Sequence, residues 1–433
     1  MTIKFFVPDW EDRVDPSFDF QKDEFSEAYK RDHYKNGVYA HQIFENPPYD
    51  GILVSLSVFQ SKINLDKSHH GFRIRGIDNI KTYLKINRNS NIEVMGDCGA
   101  FSYVSEKEPP KPFYTVKNVA KIYHSLGFDY GVSVDHLVVD KIRVVDPETK
   151  KKIPRELTVE EKDFRIELTL KNAKEFIKLW ERKNYSFVPI GVAQGYDIET
   201  YEYSVDTLIN MGYEYIGLGG MVRYKTPFIL EVLKRINSLV RSHNIKVHLF
   251  GVVRLGVLRE FKKLGVTSFD SASFLRRAWL RSGQNYLTPD GRWYSAIRVP
   301  QSTNNRLLQN AELNGYSRQD LERMERHALE MLVKYDRGEV DLDTVLKTVL
   351  EYDKLFLRNT SDGKNLEAKY RRTLEDKPWK KCNCPICRDI GIHVLIFRGA
   401  NRNKRRGFHN MWALREIMKQ ELESDNSNGN CRT

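Results

Sequence analysis

The chain has 433 residues, 40% of them hydrophobic and 30% charged, with a formal net charge of +12. No run of about 18 apolar residues occurs, and the amino terminus, MTIKFFVPDWEDR, turns acidic after a short apolar patch, so a membrane span and a secretory leader are not expected. That balance fits a cytoplasmic protein with a polyanionic partner, and the length suits one barrel with additions.

Residues 1–50 read as an amino-terminal extension. From 51 to 300 short apolar runs alternate with amphipathic helices, the pattern of repeated βα units. Candidate strands are 51–57, 92–95, 130–134, 187–192, 215–218, 247–250 and 267–269. Helices are expected over 116–126, 170–182, 201–211, 229–242 and 255–264, with Gly127, Gly212 and Gly265 as left-handed caps. The expected fold is α/β, a (β/α)8 TIM-like barrel; no GxGxxG follows the first strand, which argues against a dinucleotide-binding open sheet.

From 301 to 380 the strands disappear and a helical insertion is expected. Ser317 and Asp320 form a capping box, Gly338 ends that helix, a second helix runs through Leu342 and Leu350, and Asn359 to Lys364 read as a loop. Residues 381–423 hold Cys382, Cys384 and Cys387, followed by His409. Three thiolates and one imidazole fill a tetrahedral zinc shell with no open position, so one structural zinc per chain is expected, in a subdomain completing the barrel. His393 is the competing fourth ligand. Cys98 and Cys431 stay unpaired, as in a reducing compartment. From Lys380 to Thr433 eleven Lys or Arg stand against five Asp or Glu. Arg402, Lys404, Arg405 and Arg406, together with Arg281, are therefore candidate nucleic-acid contacts, a solvated loop being the plainer reading of the 402–406 run. Residues 424–433 read as a disordered tail.

In a TIM-like barrel the reacting groups follow the carboxyl ends of the strands. The polar residues at those ends are Asp97, Asp135, Gln194, the segment Gly217-Leu218-Gly219-Gly220 and Asp270. A single Asp there is more often a cap or a turn former; five coinciding positions point to a site. A purine such as guanine offers N–H donors to a carboxylate, a carbonyl to an amide, and flat faces to an aromatic ring. Asp135, Gln194, Leu218, Gly219 and Gly220 would read its edge, with Phe101 and Phe250 on its faces. Asp97 and Asp270 form a carboxylate pair of the kind retaining glycosidic chemistry needs.

Several segments in order resemble the tRNA-guanine transglycosylase superfamily: Asp97-Cys98-Gly99-Ala100-Phe101, Gly191-Val192-Ala193-Gln194-Gly195, Tyr215 to Gly220, His248-Leu249-Phe250-Gly251-Val252, Gly265 to Asp270, Leu280 to Asn285, and the cysteine cluster with Phe408-His409-Asn410. The resemblance implies that Asp270 attacks C1′ of the nucleoside and expels guanine, that Asp97 serves as acid and base, and that His409 rather than His393 completes the zinc site. Cys98 stands where the family has serine, and is read as a small residue in the substrate pocket. The divergent 97–101 segment and the inserted helices look most like the DNA-modifying branch, the DpdA family of DNA 7-deazaguanine transglycosylases. That branch implies a DNA substrate, a free 7-deazaguanine base such as 7-cyano-7-deazaguanine (preQ0), and partner proteins of a DNA-modification system, in a monomer or homodimer. Alternatives are a tRNA-guanine transglycosylase inserting a 7-deazaguanine into tRNA, and a non-catalytic zinc-dependent nucleic-acid-binding protein.

Overall fold

The computed structural model describes residues 3–66, 71–280, 283–305, 308–309, 315–355 and 360–423. Eight parallel strands close a barrel: β1 (Lys4–Pro8), β2 (Gly51–Ser55), β3 (Glu93–Asp97), β4 (Tyr130–Val132), β5 (Val188–Ala193), β6 (Tyr215–Leu218), β7 (Lys246–Leu249) and β8 (Val266–Asp270). They follow one another around the ring in chain order, and β8 closes on β1 with Phe6 opposite Asp270. Strand alternation puts every second side chain on one face. Phe6, Leu53, Met95, Val132, Ile190, Val192 and Tyr215 accordingly meet in one buried cluster drawn from six strands.

The helices that follow β3 to β7 are α1 (Val116–Leu126), α2 (Val159–Lys183), α3 (Ile198–Asn210), α4 (Thr226–Ser242) and α5 (Leu258–Lys263). Helix α1 shows why the alternation was readable: Val116, Val119, Ile122, Tyr123 and Leu126 are buried, and Gly127 ends it in the left-handed region at φ 72°.

Two compact units partition the chain. One comprises Met1–Trp10, Tyr49–Ala272 and Glu421–Thr433, and holds the barrel; the other comprises Glu11–Pro48 and Ser273–Gln420. The first strand therefore lies inside the expected amino-terminal extension. Lys4–Pro8 leads into an excursion instead of a barrel helix, so no βα alternation marks it in the sequence. All eight barrel strands fall between Lys4 and Asp270, so the 381–423 segment adds no strand to the barrel, and the barrel closes before the expected boundary at 300.

In the second unit α6 (Arg318–Arg337) opens on the expected capping box of Ser317 and Asp320 and ends at Gly338 with φ 80°. Helix α7 (Leu342–Lys354) follows, then α8 (Thr360–Asp376) and α9 (Gly399–Glu423). Helix α8 starts inside the segment expected to be a loop, because Thr-Ser-Asp is a composition that opens helices as readily as it forms turns. Among the described residues no helix is long and apolar enough to cross a membrane. Arg281, Asn359 and the 424–433 tail with Cys431 lie outside the described residues.

Candidate active site and metal centre

Asp97 ends β3, Asp135 follows β4, Gln194 follows β5, Gly219 and Gly220 follow β6, Phe250 follows β7 and Asp270 ends β8. Because these strands are consecutive in the ring, the six positions line an unbroken arc of the barrel mouth. Asp135 is buried, and its two oxygens accept from the Cys98 thiol at 3.1 Å and from Gln194 Nε2 at 2.6 Å. Gln194 Oε1 accepts from the Val138 amide at 3.3 Å. The two expected edge-reading side chains thus hold each other in place. A Cβ at position 219 would lie 2.3 Å from Gln194 Nε2, and one at 217 would lie 2.3 Å from the Phe250 ring. Glycine at these positions lets the backbone of β6 approach the pocket. Leu218 is fully buried beside them, whereas Phe101 is 73% exposed on a single 3₁₀ turn, Ala100–Tyr103, free to cover a flat ligand.

Charge is crowded here. Asp97 is pushed up to about 7, first by burial, then by the Asp135 carboxylate and more weakly by Asp270; the Ser55 hydroxyl and Gly99 amide pull the other way. Burial also raises Asp135, partly offset by the hydrogen bonds from Cys98 and Gln194. Burial and the carboxylates of Asp135 and Asp97 push the Cys98 thiol well above its usual range. A buried thiol that stays protonated and donates to Asp135 is poorly suited to act as a nucleophile.

Asp270 is buried and anchored differently. Its Oδ1 accepts from the Gly251 amide at 2.8 Å and from His248 Nε2 at 3.2 Å. His248 Nδ1 meets Ser268 Oγ at 2.6 Å, and Ser268 Oγ meets the Tyr215 hydroxyl at 2.5 Å. With the imidazole proton on Nε2, these bonds run in one direction toward the carboxylate. Sequence reading did not single out His248, Ser268 or Tyr215. The available signal was Ser268 two residues before Asp270, hence on the same strand face, with His248 opposite it on β7.

The second unit brings Cys382, Cys384, Cys387 and His409 together, with ligand atoms all within 4.8 Å of one another. His409 Nδ1 lies 3.7, 3.3 and 3.4 Å from the three sulfurs in that order. Zinc bonds of ordinary length at a tetrahedral angle would put sulfur and nitrogen about 3.6 Å apart. The group can hold a metal ion, and its sulfur–nitrogen spacing is compatible with zinc. His409 Nε2 bonds the Leu287 carbonyl at 2.7 Å, which leaves Nδ1 as the ligand atom. Tyr286 stacks on the His409 ring at 3.9 Å and meets Cys387 Sγ through its hydroxyl at 3.2 Å. His393 is not in the group; its ring packs on Phe20.

The basic run expected to face nucleic acid is turned inward. Arg402, Arg405 and Arg406 are 1%, 3% and 0% exposed. Arg402 pairs with Asp23 and donates to the Phe20 carbonyl at 2.9 Å; Arg405 donates to Asp389 at 3.0 Å and to the Asp15 carbonyl at 2.9 Å. Arg406 donates to the carbonyls of Val394 at 2.9 Å and Ile396 at 3.1 Å. Lys404 bonds the Glu11 carbonyl at 3.1 Å beside Asp12. The reason is helical phase: 402, 405, 406 and 409 follow i, i+3, i+4, i+7 on α9, so the arginines share the buried face of the metal ligand. The three arginines hold the second unit together and are not available to phosphates, whereas Lys404 is half-buried.

No family model matches the chain. A curated protein from Salmonella montevideo, named DNA-guanine transglycosylase, is 39% identical over 418 residues, which cover 95% of each chain.

Proposed function

The chain belongs to the DNA-guanine transglycosylase family, and from that premise we propose that it exchanges guanine in DNA for 7-cyano-7-deazaguanine through a covalent aspartyl–nucleoside intermediate. As a guanine transglycosylase it is a pentosyltransferase. The observation that carries the chemistry is the pair of carboxylates with unlike surroundings: Asp97 raised to about 7, and Asp270 anchored by an amide and an imidazole. Asp270 attacks C1′ as the C1′–N9 bond breaks, and neutral Asp97 gives its proton to the departing guanine. Asp97, now ionised, takes the proton of the incoming base, whose nitrogen displaces Asp270 from C1′. Two inversions restore the configuration. A carboxyl that titrates near neutrality can act in both directions, as acid for the departing base and as base for the incoming one.

Asp135, held by Gln194, would accept the N–H groups of the guanine edge. Phe101 and Phe250 would cover its faces, and the amides at Gly219 and Gly220 would meet its carbonyl. Cys382, Cys384, Cys387 and His409 would hold one zinc ion. Zinc with four protein ligands and no open position supplies folding energy and no reaction step.

Incubation with labelled guanine and either plasmid DNA or bulk tRNA tests the substrate. Label is expected in DNA; label in tRNA alone would sink the reading, and abasic sites without incorporation would indicate a hydrolase.

A further inference from the structure

With Arg402, Arg405 and Arg406 buried, a basic surface elsewhere on the barrel unit is the better candidate for DNA contacts. Between β4 and α2 the barrel unit carries an antiparallel hairpin, Lys141–Val145 paired with Lys152–Glu156 in the register Arg143 opposite Pro154 and Val145 opposite Lys152. It leaves the barrel mouth shortly after Asp135. Its base is fixed: Ile142 is buried, Lys141 pairs with Glu156 at 3.0 Å, and Asp140 pairs with Lys162 at 2.9 Å and with Arg223, just beyond Gly220, at 3.5 Å. Its turn is ordered too, with Asp146 accepting from the Glu148 and Thr149 amides at 3.1 and 2.6 Å.

Beyond that base the hairpin is largely exposed. Val145 and Ile153 are 57% and 41% exposed, unusual for a strand pair in water. Arg143, Lys150, Lys151 and Lys152 are exposed, and no ion-pair partner occurs for any of them among the described residues. Arg143, Val145 and Lys152 share one face of the ribbon, and Lys150 and Lys151 extend it at the turn. Glu148 and the turn-bound Asp146 are the acids near the tip.

We propose that this hairpin is the DNA clamp of the barrel: Arg143, Lys150, Lys151 and Lys152 grip the phosphates beside the target guanosine, and Val145, exposed on the face of Arg143 and Lys152, rests on sugar and base edges. The assignment rests on the DNA reading above. A two-stranded ribbon is narrow enough for the major groove, and extruding a base costs on the order of a few kcal/mol that phosphate contacts offset. The link from Asp140 to Arg223 ties the clamp to the loop that would read the base.

The test is the salt dependence of binding to a fluorescent guanine-containing duplex, followed by anisotropy. The combined variant Arg143→Ala, Lys150→Ala, Lys151→Ala, Lys152→Ala should lower the slope of log affinity against log salt by about 3 to 4 and bind at least about tenfold more weakly at 0.1 M salt. Lys150→Arg, Lys151→Arg, Lys152→Arg should bind like wild type, as should Lys171→Ala, Lys174→Ala, Lys178→Ala on α2, which removes exposed charge elsewhere. Wild-type slope and affinity in the hairpin variant, or an equal loss in the α2 variant, overturns the clamp. If wild-type protein still inserts base into DNA in that case, the clamp alone fails. Incorporation into tRNA and none into DNA overturns both the proposed function and the clamp's assignment to DNA.

Discussion

The barrel mouth and the metal centre solve opposite problems. At the mouth, side chains from six strands converge, and buried carboxylates crowd until Asp97 is pushed up to about 7. At the metal centre three donors come from one short segment, and their surroundings are satisfied: Leu287 orients His409, Tyr286 stacks on it, and the Cys387 amide bonds Cys384 Sγ at 3.3 Å. Under the proposed roles, crowding of like charges is what a reacting site can use, whereas a site that served folding would leave few groups unsatisfied. Changes at the mouth should therefore remove activity with little loss of folding, and changes at the metal centre should do the reverse.

The largest effect is expected from Asp270→Asn, which removes the proposed nucleophile while keeping a hydrogen-bonding group against Gly251. Exchange of labelled guanine into DNA should fall by roughly 10⁴-fold or more, with the melting temperature nearly unchanged. Asp97→Asn should lower exchange by about 10² to 10⁴. It also has a pH signature. Because the folded-state value lies above the ordinary 3.8, the folded protein keeps a proton that the unfolded chain releases. Wild-type stability relative to Asp97→Asn is then fully present below about pH 3.8 and lost as pH rises through about 7. Urea titrations from pH 5 to 8 should show the variant gaining on wild type; a difference independent of pH would contradict the shifted carboxyl.

On the other side of the comparison, Cys384→Ser should reduce bound zinc from about one per chain to none and unfold the carboxy-terminal region, read by metal analysis and hydrogen exchange. A fully stable, metal-free variant would contradict the structural role. The smallest effect is expected from His248→Ala, which leaves Asp270 with the Gly251 amide. A charge-assisted hydrogen bond of this kind corresponds to about a tenfold loss or more in exchange rate, with DNA affinity unchanged.

The two regions also differ in how legible they were. The candidate metal ligands could be read because a short cysteine spacing survives any fold, and the strand-end residues because βα alternation fixes which end of each strand faces the mouth. What stayed hidden depended on pairing between distant segments. Strand β1 is recognisable only once Phe6 lies between Gly51 and Asp270. His248 reads as an ordinary strand residue until the β7–β8 register puts it opposite Ser268. The 402–406 run misled because charge was read without helical phase; counted from His409, its arginines fall on the buried face. The 141–156 hairpin was invisible for a related reason. Its mixed Lys, Val and Pro composition marks neither a barrel strand nor a helix, and its exposure emerges only from the fold.

Assignment of the nucleophile is the centre of the account, and a trapped adduct tests it most directly. Protein incubated with a guanine-containing oligonucleotide without incoming base, then denatured, digested and mapped by mass spectrometry, should carry deoxyribose on the peptide containing Asp270, and Asp270→Asn should carry none. An adduct on Asp97, or abasic DNA with no adduct, would contradict it.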